Sequence, residues 1–157
     1  MGGIPSSEGD LAAVGAALLE AEAAAGEGEI PVGALILAPD GKVIATGRNS
    51  RVHEKDPTAH AEVNAIREAA RVLGDRVLDG CTLVVTLEPC VMCAGVILAA
   101  RVPRVVFGAW DEKAGAVGSV YDLLRDGRLP HAVPEVIGGV RADECAALLE
   151  AFFRARR

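Results

Sequence analysis

The sequence predicts an α/β protein: a three-layer α/β/α sandwich built on one mixed five-stranded sheet. Three observations lead there. Short apolar runs of strand length alternate with longer Ala- and Leu-rich stretches of helical length. The turn Pro39-Asp40-Gly41-Lys42 folds two of the short runs into an antiparallel hairpin. The β-forming run Thr82-Leu83-Val84-Val85-Thr86-Leu87 then leads into Glu88-Pro89-Cys90, where a proline lacking its N–H suits a helix start.

Each element has its own justification. Asp10 to Ala25 reads as the first helix, with Ser7 as cap, Asp10 three residues on and Gly26 closing it. Ile30 to Ala38, opened by Pro31, and Val43 to Thr46 are the hairpin strands. Gly47 to Pro57 is a polar loop carrying Arg48, Asn49, Arg51 and His53. Asp56-Pro57-Thr58 opens a helix, capped by Asp56 or Thr58, that holds His60 and Glu62 in its first turn and ends near Leu73. The helix starting at Pro89-Cys90 runs to about Ala100, and Pro103 stops it. Arg104 to Gly108 is a strand, and Ala109 to Pro134 is a long loop with a short helical stretch around Tyr121–Leu124. Loops of that length inside compact domains are usually functional. Glu135 to Ile137 is the last strand. Ala142 to Arg157 is the last helix, acidic in its first turn and basic in its last, which complements the helix dipole.

No repeat, low-complexity tract or linker interrupts the 157 residues, so 1–157 is expected to form a single domain. At 51% hydrophobic residues the chain can bury a real core. No apolar run approaches membrane-spanning length, and Met1 to Glu8 lacks the charge and apolar run of a signal peptide. Two of the four cysteines form a C-x-x-C, which in such a chain favours reduced thiols and a cytoplasmic location. The net charge of −6 argues against a generic nucleic-acid-binding surface.

Cys90 and Cys93 lie on nearly the same side of one helical turn and can grip one metal ion or form a disulfide. Alone, the pair is also compatible with a thioredoxin-like redox site. His60-Ala61-Glu62 upstream completes the pattern H-x-E…P-C-x-x-C, the signature of zinc deaminases acting on nucleobases. One histidine and two cysteines are three donors, the number that leaves a catalytic zinc one open position. A structural site would need a fourth donor, for which Cys81, His53, His131 and Cys145 are the candidates. Helix starts after strands cluster at one end of such a sheet, so His60 and the cysteines are placed to converge. Two helix N-termini favour thiolates there, and Glu62 is placed to move protons between water, ring nitrogen and leaving ammonia. Cys81 and Cys145 read as buried small residues and His53 and His131 as loop surface, while Phe152-Phe153 reads either as core or as a pair of which one contacts RNA.

Nearly the whole chain, from about Leu11 to Arg157, resembles the bacterial tRNA-specific adenosine deaminases of the cytidine deaminase superfamily. The matching stretches are Pro31-Val32-Gly33-Ala34, Asp56 to Glu62, Thr86 to Gly95, Arg104 to Ala109, Ala114 to Ser119, Ala142 to Leu149 and Phe152-Phe153-Arg154. The resemblance implies a cytidine deaminase-like fold and a cytoplasmic homodimer. Its activity would be conversion of the wobble adenosine of a tRNA anticodon, usually of an arginine tRNA, to inosine. It implies one zinc per chain on His60, Cys90 and Cys93, with Glu62 catalytic. It implies that Asn49 contacts the flipped base, that Ile30, Pro31, Val32 and Leu87 wall the pocket, and that backbone near Ala61 reads the purine edge. Asp111 would touch a neighbouring nucleotide's sugar, and Phe153 and Arg154 the anticodon loop. Trp110 departs from relatives, which often carry a polar or charged residue there. The alternative within the superfamily is a free-base deaminase acting on guanine or cytosine, which the acidic charge suits. A zinc-stabilised module that binds RNA without turnover is the non-enzymatic alternative. For an RNA substrate, Arg48, Arg51, Arg101, Arg104, Arg154, Arg156 and Arg157 are expected to gather at the zinc end despite the acidic total.

Overall fold

A computed structural model of the chain describes residues 7–156. The elements are α1 (Glu8–Gly26), β1 (Gly33–Leu37), β2 (Val43–Arg48), α2 (Arg51–Glu54), α3 (Ala61–Leu73), β3 (Thr82–Leu87), α4 (Val91–Ala99), β4 (Arg104–Ala109), β5 (Glu135–Ile137) and α5 (Ala142–Arg154). The sheet order is β2-β1-β3-β4-β5. β1 is antiparallel to β2 and to β3, while β3, β4 and β5 are mutually parallel.

Period-two alternation along the strands makes three layers. On one face Ala34, Ile36, Leu83, Val85, Val105 and Phe107 pack with α3 and α4 residues such as Ala65, Ile66 and Ile97. On the other, Leu35, Val84 and Val106 pack with Val14, Ala17 and Leu18 of α1 and Cys145 of α5. Both faces are covered, so β3 reads as a continuous apolar run. Gly47 lets β2 approach α3 closely: a Cβ there would overlap the Ala61 carbonyl oxygen and the Ala65 nitrogen.

The topology brings chain ends together. β1 is antiparallel to both neighbours, so β2 and β3 run the same way and finish at one edge. β4 finishes there too, and β1 begins there. The N-termini of α3 and α4 lie at that edge, together with the loops that follow β2 and β4.

Several elements differ from expectation for local reasons. β1 starts at Gly33, not Ile30, because Pro31 has no N–H and the Ile30 carbonyl accepts from Val32 in a tight turn. β2 runs on through Gly47 to Arg48. Asp56 accepts from both the N–H and the hydroxyl of Thr58, so Asp56-Pro57-Thr58 makes a turn and His60 becomes the α3 N-cap. Cys90 likewise caps α4 instead of lying within it. Residues 51–54 form the helix α2, capped from outside by Glu29, whose carboxylate accepts from the N–H groups of Val52 and His53. Around Tyr121–Leu124 there is no helix; a bridge between Val117 and Asp122 holds that segment instead. α5 ends at Arg154, and Arg157 lies outside the described residues.

Candidate active site

His60, Cys90 and Cys93 meet at the edge where β2 and β3 end. The Cys93 Sγ lies 3.4 Å and the Cys90 Sγ 3.6 Å from His60 Nδ1. The three donor atoms all lie within 4.8 Å of one another. Tetrahedral zinc, at about 2.0–2.1 Å from nitrogen and 2.3 Å from sulfur, sets such atoms about 3.6 Å apart. The donor set therefore fits zinc in number, type and spacing. None of Cys81, His53, His131 and Cys145 joins the cluster among the described residues, so a fourth position is left to the pocket.

The electrostatics point the same way. His60 caps α3 and Cys90 caps α4, so two helix N-termini aim at the donors and favour negative charge. The Cys90 thiol is brought down to about 3, first by the Cys93 thiol and against burial, with help from His60. Cys93 is pushed up by the Cys90 thiolate and by its own burial. Ionising one thiol opposes ionising its neighbour, and a bound cation would favour both thiolates together. Cys81 and Cys145 are inert by contrast: burial raises both thiols, Cys145 to about 11.

Beside the donors is a pocket of about 160 Å³ lined by Ile30, Val32, Asn49, Arg51, His60, Ala61, Glu62, Leu87, Glu88, Cys90, Asp111 and Ala114. Glu62, at the second position of α3, is 4% exposed, and burial holds its carboxyl above the ordinary value. Asn49 is buried, donating its amide to the Ile30 carbonyl at 3.3 Å. Pro31 is buried between two wall residues and does not itself line the pocket. Phe153 and Arg154 also lie outside the wall, on the exposed side of α5, while Phe152 is core.

The expected gathering of arginines at this end is corrected. Arg104 opens β4 at the opposite end and pairs with Asp10 and Glu135; Arg101 lies just before it. Arg48 pairs with Glu27 and Glu20. Arg156 stacks on the Phe152 ring at 3.5 Å. Of the arginines named, Arg51 lines the pocket; it makes no ion pair among the described residues, and its Nε donates to the Pro57 carbonyl at 3.1 Å.

Two buried acids hold the site and escaped the sequence reading. Glu29 orders the Arg51 side. Glu88 orders the other: it accepts from the N–H groups of Asp111 at 2.9 Å, Val117 at 3.0 Å and Ser119 at 3.0 Å, and from the Ser119 hydroxyl.

The chain belongs to the family of the cytidine and deoxycytidylate deaminase zinc-binding region, whose model matches residues 7–109. Zinc is the cofactor of that family's site, and His60, Cys90 and Cys93 form the group able to hold it. The family can be drawn more narrowly. The tRNA-specific adenosine deaminase of Bacillus subtilis is 47% identical over 90% of this chain and 86% of its own length, which places the chain among the tRNA-specific adenosine deaminases. A structure solved in a study of A-to-I editing by tRNA:A34 deaminases at the wobble position of transfer RNA superposes with a TM-score of 0.83 at 42% identity, over 87% of this chain and 98% of that one. The tRNA(Ile)-lysidine synthase of Deinococcus radiodurans is 52% identical over 93% of this chain, but the chain spans only 25% of that protein's length. Among the described residues, no helix is long and apolar enough to cross a membrane.

Proposed function

We propose that the protein, as one deaminase domain over residues 1–157, hydrolyses the wobble adenosine of a tRNA anticodon to inosine, releasing ammonia. The observation that carries the reading is Glu62, a buried acid in a nucleobase-sized pocket beside three zinc-type donors. The 47% identity to the B. subtilis tRNA-specific adenosine deaminase supports the choice of substrate.

His60, Cys90 and Cys93 hold zinc. When bound, zinc acidifies water to give a nucleophile at neutral pH and leaves one position open to the pocket. Glu62 would accept the water's first proton on a carboxylate oxygen and pass it to the purine ring nitrogen next to the reacting carbon; it would then take the second proton from the hydroxyl left on that carbon and pass it to the amino group, which departs as ammonia. Ile30, Val32 and Leu87 wall the base and exclude water, Asn49 contacts it by hydrogen bonding, and backbone at Ala61 reads its edge. Asp111 faces the sugar of a neighbouring nucleotide, and Phe153 and Arg154 meet the anticodon loop. The substrate is an arginine tRNA, and the enzyme is a cytoplasmic homodimer.

Zinc-loaded protein incubated with an unmodified anticodon stem-loop bearing wobble adenosine, beside free guanine, cytosine and adenosine, tests this. Inosine in the stem-loop is the expected product. Rapid guanine or cytosine deamination without inosine in RNA would transfer the assignment to a free-base deaminase.

A further inference from the structure

The loop 111–119 supplies Asp111 and Ala114 to the pocket wall. It is neither helix nor strand, and only isolated bridges at Gly115 and Val117 interrupt it. We infer that Glu88 is a positioning residue for substrate binding: its buried carboxylate gathers this loop onto the junction that carries Cys90 and so fixes one wall of the pocket.

The bonding pattern carries the inference. Glu88 is 2% exposed, and both carboxylate oxygens are taken up by the loop. One oxygen accepts from the Asp111 N–H and the Ser119 hydroxyl; the other accepts from the Val117 and Ser119 N–H groups. A buried charge is tolerated only with such compensation, and these donors converge because a carboxylate is there to receive them. An amide in its place would turn an N–H₂ group towards N–H donors. Gly115 lies so close that a Cβ would overlap the Glu88 carboxylate, so this approach needs glycine.

Backbone bonds extend the clasp. The Glu88 N–H donates to the Ala109 carbonyl and the Ala116 N–H to the Pro89 carbonyl, each at 2.8 Å, and Cys90 bridges Gly115. The wall and the metal-donor junction therefore form one unit. A base entering the pocket meets a preformed surface and does not have to order a loop, a saving in binding free energy. Glu88 acts through Asp111 and Ala114, so its removal weakens binding more than chemistry. The inference rests on this pocket being the substrate site, as proposed above.

The test compares zinc-loaded wild type with Glu88→Gln and with Gly115→Ala, which leaves the carboxylate but crowds it out of place. Two readings are taken: amide hydrogen exchange of the 111–119 peptide, and steady-state deamination of the wobble-adenosine stem-loop. Both variants should keep one zinc per chain, exchange faster in that peptide alone, and show KM raised about tenfold with kcat within about threefold. Unchanged exchange overturns the inference. Faster exchange with wild-type KM overturns it too, since Glu88 would then be structural only, and so does a fall in kcat at constant KM. If Glu88→Gln fails to fold, Gly115→Ala decides by the same criteria. If wild type leaves the stem-loop untouched, the proposed function falls, and the KM criterion applies to whichever free base is deaminated.

Discussion

Arg104 grips Asp10 with two parallel hydrogen bonds of 2.9 Å, tying the first turn of α1 to the start of β4 across 94 positions of sequence. Burial opposes ionisation of Asp10, but the Arg104 and Ser7 hydrogen bonds and the Arg104 charge outweigh it, so its carboxyl sits below the ordinary value. A carboxyl lowered by folding stabilises the fold above its unfolded value. That contribution should be complete at neutral pH, decline as pH falls below about 3.9, and vanish once pH passes the lowered folded value. Asp10→Asn should cost about 1.5–3 kcal/mol at pH 7 and less in acid, measured by urea unfolding across pH. An equal loss at pH 7 and pH 2 would contradict it.

Removing both thiols should remove the metal. Cys90→Ser/Cys93→Ser leaves His60 as the only strong donor of the cluster, so metal analysis after dialysis should find no zinc. Full retention would mean that zinc binds elsewhere.

The pairing of the arginines separates them as RNA ligands. Arg51 is free of ion pairs among the described residues and lines the pocket, whereas Arg48 is engaged by Glu27 at 2.7 Å. Arg51→Ala should weaken stem-loop binding and flatten the salt dependence by about 0.7 in log–log slope. Arg48→Ala should leave that slope unchanged. Identical behaviour of the two variants would refute the distinction.

Gly47 is fixed by sterics. A Cβ there would overlap the first turns of α3, just beyond His60. Gly47→Ala should destabilise by about 1–3 kcal/mol, read from thermal or urea unfolding. It should also lower zinc affinity, because α3 must shift. A neutral effect on both would mean that β2 and α3 part at no cost.

What the sequence made legible was local. The H-x-E and P-C-x-x-C spacings, the Asp40-Gly41 turn and the Ser7–Asp10 capping box are short-range patterns, and the structure holds that box intact. Glu29 capping α2 from 23 positions away could not be read, because the cap and its helix are not neighbours in sequence. Glu88 was hidden for the same reason: its partners lie 23 to 31 positions on. The arginines were misplaced because composition counts charges without showing their partners. Arg104, remote from the site, and Arg48, already paired, count like Arg51 in a total.

The most direct measurement is single-turnover inosine formation on a wobble-adenosine stem-loop by wild type and Glu62→Gln, each verified at one zinc per chain. Wild type should convert the RNA, and the variant, folded and metal-loaded, should be slower by at least ~10²-fold. A near-wild-type rate in the variant, its loss of zinc, or no inosine from wild type would contradict the role given to Glu62 at this site.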